Sequence, residues 1–158
     1  MSPVEFQING KPAAVTIEDD ASLLTVLRNT LGLMGARFGC GEEQCGACMV
    51  LIDGAPAYSC TLPASAVAGK AIVTLEGLGT PDHPHPLQVA FIDEQAGQCG
   101  YCLAGILVSA KALIDRNPTP TRADIVAALD RHLCRCGAHN RIVRAIERAA
   151  AALRSSAS

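Results

Sequence analysis

Cysteine is the residue type in this chain most suited to chemistry, because its thiolate binds soft metals and can be oxidised. The 158-residue sequence holds eight cysteines in two sets of four. The N-terminal set is Cys40, Cys45, Cys48 and Cys60, and the C-terminal set is Cys99, Cys102, Cys134 and Cys136. The first residues lack the charged and apolar regions of a secretory signal. We therefore expect a cytoplasmic protein whose thiols are reduced and bind metal rather than form disulfides.

The N-terminal set lies mainly in one glycine-rich loop. Its first three cysteines are spaced C-x4-C-x2-C, and Cys60 follows in a predicted hairpin. This is the ligand spacing that holds a [2Fe–2S] cluster in plant-type ferredoxins. Gly39, Gly41 and Gly46 would let the loop curl closely around a cluster and bring backbone amides toward its sulfur atoms. The spacing predicts an iron–sulfur site, with Cys60 as its fourth ligand because no other cysteine is left over.

The C-terminal set combines a C-x2-C pair with a distant C-x-C pair. Residues two apart do not share a helix face, so Cys134 and Cys136 must lie in a turn if both bind one centre. We expect the four thiols at helix ends, where dipoles and free amides favour an anionic cluster. Structural zinc is the alternative for either set, and above all for this one. Zinc sites, however, usually pair two knuckles of two-to-four-residue spacing.

Local patterns predict a small mixed sheet in the first half of the chain. Residues 4–17 and 49–58 each alternate apolar and polar positions around an Asn-Gly or Asp-Gly turn, which predicts two hairpins. Ser22 can cap a helix over residues 23–31, whose apolar positions share one face and which Gly32 ends.

The second half of the chain has a helical pattern. A Gly- and Pro-rich linker precedes it, and Pro86 suits a first helical turn. Thr121 and Asp124 resemble a capping box, and Asn140 can cap the last helix. These patterns predict an α+β protein with one domain at residues 1–79 and a helical domain at residues 80–158.

The histidines are expected to play no part in metal binding, because eight thiols already supply two complete sets. We expect His83 and His85 to be solvated in the linker, and His132 and His139 to have surface roles.

Composition excludes several classes of function. A formal net charge of −2, 3% aromatic residues and no tryptophan argue against nucleic-acid binding. No apolar run approaches the roughly 18 residues of a membrane span. Gln44 stands where a G-x-G-x-x-G fingerprint needs glycine, so no flavin or nicotinamide site is expected.

Three segments together resemble the iron–sulfur subunit of molybdenum hydroxylases, the xanthine oxidase family. They are residues 38–48 (FGCGEEQCGAC), 98–102 (QCGYC) and 133–137 (LCRCG), and the resemblance extends over residues 4–150. Within the family the chain looks most like the small subunits of bacterial nicotinate dehydrogenase and isoquinoline 1-oxidoreductase. The stretch from His85 to Leu113 is especially similar to the nicotinate type.

The resemblance implies an N-terminal β-grasp, ferredoxin-like [2Fe–2S] domain and a C-terminal four-helix [2Fe–2S]-binding domain. It also implies a large partner subunit that carries molybdopterin, commonly as the cytosine dinucleotide, and hydroxylates the substrate with oxygen from water. Electrons would enter the helical-domain cluster first and leave through the ferredoxin-like cluster. The expected acceptor is an FAD-binding subunit or a c-type cytochrome, and such partners could hold the complex at a membrane.

The same resemblance implies that two residues of this chain contact the molybdopterin and that no residue of this chain is catalytic. Gln98 would hydrogen-bond the pterin, and Cys136 would lie beside it while also binding the cluster. The expected substrate is an N-heteroaromatic such as nicotinate. Three other functions stay open for this chain. It could be the electron-transfer subunit of an aldehyde or isoquinoline oxidoreductase, a free-standing two-cluster electron carrier, or a zinc-stabilised interaction module.

Overall fold

A computed structural model describes residues 1–17 and 21–156. The N-terminal part is a five-stranded mixed sheet of β1 (Ser2–Ile8), β2 (Lys11–Ile17), β3 (Met49–Ile52), β4 (Ala55–Tyr58) and β5 (Ala71–Val73). The strand order is β2-β1-β5-β3-β4, with β1 and β5 parallel and the other neighbours antiparallel. Both predicted hairpins are confirmed. Asn9 and Asp53 take φ of 51° in the two turns, the left-handed conformation that such turns require.

One helical segment packs on this sheet. It begins as α1 (Leu23–Thr25) and continues as a wider π-helical turn, Val26–Thr30. The predicted cap is confirmed, since Ser22 Oγ accepts the N–H of Thr25 at 3.2 Å. The expectation of one regular helix through residue 31 is wrong, because the Leu31 N–H reaches back five residues to the Val26 carbonyl at 3.0 Å. Leu23 and Leu27 are fully buried in the sheet's core.

Four helices form the C-terminal part: α2 (Pro86–Asp93), α3 (Leu103–Arg116), α4 (Arg122–Leu129) and α5 (His139–Ser156). The capping box is confirmed, with the Thr121 hydroxyl accepting the Asp124 N–H at 3.2 Å and the Asp124 carboxylate accepting the Thr121 N–H at 2.8 Å. The predicted cap at Asn140 is wrong, because α5 already begins at His139. No helix in the described ranges is long and apolar enough to cross a bilayer.

A small apolar cluster joins the sheet to the helices. Met49 and Leu51 of β3 pack against Val108 and Ala112 of α3, apart from the two larger cores. Leu78 lies before the predicted boundary at residue 79 and packs against the helical core. The sheet and α3 are therefore in direct contact, and this contact brings the loops at their ends together.

Candidate iron–sulfur sites

Three cysteines of the N-terminal set, Cys40, Cys45 and Cys48, lie in the loop that leads to β3. Gly41 and Gly46 have φ of 72° and 74°, a backbone conformation that would be strained for any residue with a side chain. The chain curls at these two positions. A Cβ at Gly39 would lie 2.6 Å from Cys45 Sγ, so the thiol occupies the space of the missing side chain. The predicted role of these glycines in a tight loop agrees with the geometry.

Backbone amides point at two thiols of this loop. Cys40 Sγ accepts the N–H of Glu42 at 3.4 Å and of Gln44 at 3.2 Å, and Cys45 Sγ accepts the Cys40 N–H at 3.4 Å. These donors, the Glu42 N–H first, lower the pKa of the Cys40 thiol to about 7. Donors that favour a thiolate also stabilise a thiolate bound to metal.

The other two thiols of the set, Cys48 and Cys60, lie side by side, and Cys48 is buried. Cys60 follows β4, and its side chain lies beside that of Cys48. Cys48 is only 2% exposed. Burial raises the pKa of the Cys48 thiol to about 11. The Ser59 hydroxyl donates to the Cys48 carbonyl at 2.6 Å and fixes the two segments side by side. The Cys48 thiol would therefore lose its proton only when it binds a metal. A metal cation in direct contact with sulfur deprotonates a thiol.

The C-terminal set lies where α2 leads into α3 and where α4 leads into α5. Cys102 is the residue before α3, and Cys134 and Cys136 lie in the turn that precedes α5, as predicted. The Cys99 side chain lies beside that of Cys136, and the Cys102 side chain lies beside that of Cys134. Burial raises the pKa of Cys102 to about 12. The Tyr101 N–H lowers the pKa of Cys99.

Within each set the thiols lie close together, with Cys40 beside Cys45, Cys48 beside Cys60, Cys99 beside Cys136, and Cys102 beside Cys134. Four neighbouring thiols fit a [2Fe–2S] cluster, in which two thiolates bind each of the two irons. Within residues 1–17 and 21–156, no three His, Cys, Asp or Glu side chains group closely enough to hold one metal ion. The paired donors and the amides aimed at sulfur fit a diiron cluster in each set.

The two sets face a common cavity of about 360 Å³. Cys40 and Cys45 line it from one side, and Cys99, Cys102 and Cys134 line it from the other. The Leu133 N–H donates to the Cys45 carbonyl at 3.0 Å and joins the two loops directly. The two candidate cluster sites are therefore neighbours.

Gln98 and Cys136 also lie together. The Gln98 amide nitrogen is 3.4 Å from the Cys136 carbonyl, and the glutamine is exposed while Cys136 is half-buried. Both are therefore within reach of a partner molecule docked on this face.

The expectation of a surface role for His132 is wrong. The residue is 5% exposed, and its Nε2 lies 2.8 Å from Ser109 Oγ. Its Nδ1 is buried without a hydrogen-bond partner in the described part of the chain, and burial lowers the pKa of the imidazole to about 4. The ring lies against Gly46, where a Cβ would be 2.3 Å from Nδ1. His132 is thus a packing residue between the first cysteine loop and α3.

Two other histidines also differ from expectation. His85 is half-buried and caps α2, where its Nδ1 accepts the Leu87 N–H at 3.1 Å. His139 is half-buried rather than on the surface, and its Nε2 lies 3.4 Å from the His132 carbonyl. His83 is exposed, as predicted.

Family models match both parts of the chain. Residues 6–72 match the 2Fe-2S iron-sulfur cluster binding domain, and residues 74–147 match the [2Fe-2S] binding domain. The chain is therefore an α+β protein with two [2Fe–2S]-binding domains, and two such clusters are its cofactors. The fold class and both clusters predicted from the sequence are confirmed.

Similar proteins define the family. The chain is 52% identical over 147 residues to one of the subunits of nicotinate dehydrogenase from Pseudomonas putida, covering 93% of this chain and 94% of the relative. It is 51% identical over 148 residues to the alpha subunit of isoquinoline 1-oxidoreductase from Brevundimonas diminuta, covering 93% and 97%. A solved quinoline 2-oxidoreductase chain from Pseudomonas putida has a TM-score of 0.93 at 37% identity, covering 98% of this chain and 96% of that one. The chain belongs to the iron–sulfur small subunits of the molybdenum hydroxylases, as the resemblance predicted, and its relatives are subunits of oxidoreductases.

Proposed function

We propose that this chain relays electrons from a molybdopterin site on a partner large subunit to an external acceptor. The paired thiols carry the proposal, since they offer two adjacent diiron sites on either side of one cavity. When bound, each cluster would supply a one-electron redox centre. The C-terminal cysteines would hold the centre where electrons enter, and the N-terminal cysteines the centre from which they leave. No residue of this chain is proposed to make or break a bond in the substrate.

The four pairs are proposed to be the ligand sets. Cys40 and Cys45 would bind one iron and Cys48 and Cys60 the other iron of the first cluster. For the second cluster, one iron would bind Cys99 and Cys136 and the other would bind Cys102 and Cys134. The division into domains at residues 1–79 and 80–158 follows these two ligand sets and is proposed with them.

Gln98 and Cys136 are proposed to face the pterin, in its cytosine dinucleotide form, on the partner subunit. The exposed Gln98 amide lies beside the Cys136 carbonyl, so one small patch offers both donor and acceptor groups. Cys136 is paired with Cys99, so the same residue would reach the second cluster. This patch is where we expect electrons to enter.

Nicotinate, or another N-heteroaromatic compound, is the proposed substrate of the complex. Support comes from the relative that is 52% identical and is named as part of a nicotinate dehydrogenase. The proposed acceptor is an FAD-binding subunit or a c-type cytochrome. An aldehyde oxidoreductase is the second candidate, because an iron–sulfur-binding subunit of that name from Escherichia coli is 38% identical over 168 residues.

The experiment is purification of the tagged chain from its own cells, followed by metal analysis and a hydroxylation assay. We expect a co-purifying larger subunit with stoichiometric molybdenum, about four iron atoms per chain, and oxidation of nicotinate with an artificial electron acceptor. A red-brown chain without a molybdenum-containing partner would instead identify a free-standing carrier. A colourless chain with stoichiometric zinc would refute the iron–sulfur function.

A further inference from the structure

Arg37 belongs to the N-terminal part of the chain but reaches into the ligand loop of the second cysteine set. Its guanidinium Nη1 donates to the Gly100 carbonyl at 3.1 Å, and its Cζ lies 5.2 Å from the centre of the Tyr101 ring. Gly100 and Tyr101 are the two residues that separate Cys99 from Cys102. A cation of the N-terminal part is thus held against the C-x2-C loop of the C-terminal part.

This cation is fixed from several directions. The Arg37 backbone N–H donates to the Ala47 carbonyl at 2.9 Å, which anchors the base of its side chain. The Tyr101 hydroxyl donates to the Phe38 carbonyl, so the ring beneath the guanidinium is itself held against the first loop. A guanidinium over an aromatic face and on a carbonyl has little freedom to swing into solvent.

The charge of Arg37 is not neutralised by a carboxylate in the described ranges. The ion pairs recorded there involve other basic residues, namely Lys70, Lys111, Arg122, Arg144 and Arg148. The cavity beside Tyr101 is lined mainly by thiols and apolar groups, which screen a charge less than water does. Arg135 lines the same cavity and supplies a second cation.

We propose that Arg37 raises the reduction potential of the cluster bound by Cys99, Cys102, Cys134 and Cys136. This rests on the function proposed above. Reduction adds one electron and therefore one negative charge to that cluster, and a nearby fixed cation stabilises the reduced form. The guanidinium lies on the second ligand loop, so it acts more strongly on the second cluster than on the first. The charge of Arg37 thus makes the second cluster a better electron acceptor.

The test is a reductive titration of the intact protein with dithionite and redox mediators, followed by electron paramagnetic resonance. Arg37→Gln should raise the oxidised-to-reduced ratio of the second cluster about three- to tenfold at a fixed potential, where tenfold corresponds to about 59 mV for one electron. The first cluster should shift less. A Cys99→Ser variant identifies which signal belongs to the second cluster.

Matched variants separate charge from structure. Arg37→Lys should restore most of the potential, because it keeps the cation. Lys11→Gln removes an exposed lysine at the start of β2 and should shift neither cluster. Tyr101→Phe keeps the ring under the guanidinium but removes the hydroxyl that holds the ring against the Phe38 carbonyl. It should lower the reduction potential of the second cluster by less than Arg37→Gln does.

The inference is overturned if Arg37→Gln leaves the second potential unchanged, if both clusters shift equally, or if Arg37→Lys fails to restore the potential. Should Arg37→Gln fail to assemble its clusters, Arg37→Met removes the same charge and is titrated in its place, and an unchanged second potential in it overturns the inference. A wild-type protein without two iron–sulfur signals would instead refute the proposed function. The two failures are therefore distinguishable.

Discussion

Gly105 of α3 lies directly against the first cysteine loop. An added Cβ would lie 2.0 Å from the backbone oxygen of Gly46 in the first cysteine loop. Ordinary contact begins near 3.4 Å, so Gly105→Ala requires the loop and the helix to separate by more than 1 Å. The obstacle is a backbone atom, so no side-chain rotation can relieve it.

The expected cost follows from three opposing effects. Alanine in place of glycine inside a helix stabilises by about 1 kcal/mol. Overpacking a close contact costs about 1–3 kcal/mol, and moving the loop weakens the Leu133–Cys45 backbone hydrogen bond of 3.0 Å, worth about 1 kcal/mol. The net result is a destabilisation of about 1–3 kcal/mol, which for a chain of this length lowers the apparent Tm by about 2–12 °C.

The assay is thermal unfolding of the metal-loaded protein, followed by far-ultraviolet and visible circular dichroism. Ala151→Gly, at an exposed position of α5, measures helix propensity alone and should cost about 1 kcal/mol. If Gly105→Ala melts at or above the wild-type temperature, the close approach of Gly46 to α3 is wrong, and with it the packing that sets the two sites side by side.

Three further predictions address the sites and one helix cap. Cys45→Ser and Cys99→Ser should each remove a different one of two paramagnetic signals from the reduced protein; loss of neither would refute the ligand sets. Gln98→Ala should leave both signals intact and slow turnover of the assembled enzyme, and unchanged turnover would contradict its proposed contact with the pterin. Burial, ahead of the nearby positive charge of Lys111, lowers the pKa of His85, and the neutral ring caps α2. Stability from this cap should therefore be lost as pH falls below about 6.5. Between pH 7.5 and 5.5 the wild-type Tm should fall more than that of His85→Asn, and parallel curves would contradict this.

The local parts of the fold were predictable because their causes are local. The turn at Asn9-Gly10 and the capping box at Thr121 each depend on a few neighbouring residues, and both agree with the structure. Cysteine spacing likewise divides the thiols into two sets. The π-helical turn after Thr25 has no signal in the apolar pattern, because it carries the same buried face as a regular helix.

The tertiary features of the sites could not be read from spacing. Cys99 pairs with Cys136 rather than with its neighbour Cys102, and this depends on how two helix junctions meet. Burial of His132 depends on the first loop closing over α3. A glycine in the first turn of the predicted helix, Gly105, was the available signal for that close approach. Nothing in the sequence indicated that Arg37 reaches across to Gly100.

The most direct test of the account is metal and sulfide analysis of protein purified without oxygen, together with its visible spectrum. Two [2Fe–2S] clusters predict about four iron atoms and about four acid-labile sulfides per chain, and a red-brown colour that bleaches with dithionite. A folded, colourless protein that contains zinc, or no metal at all, would contradict it.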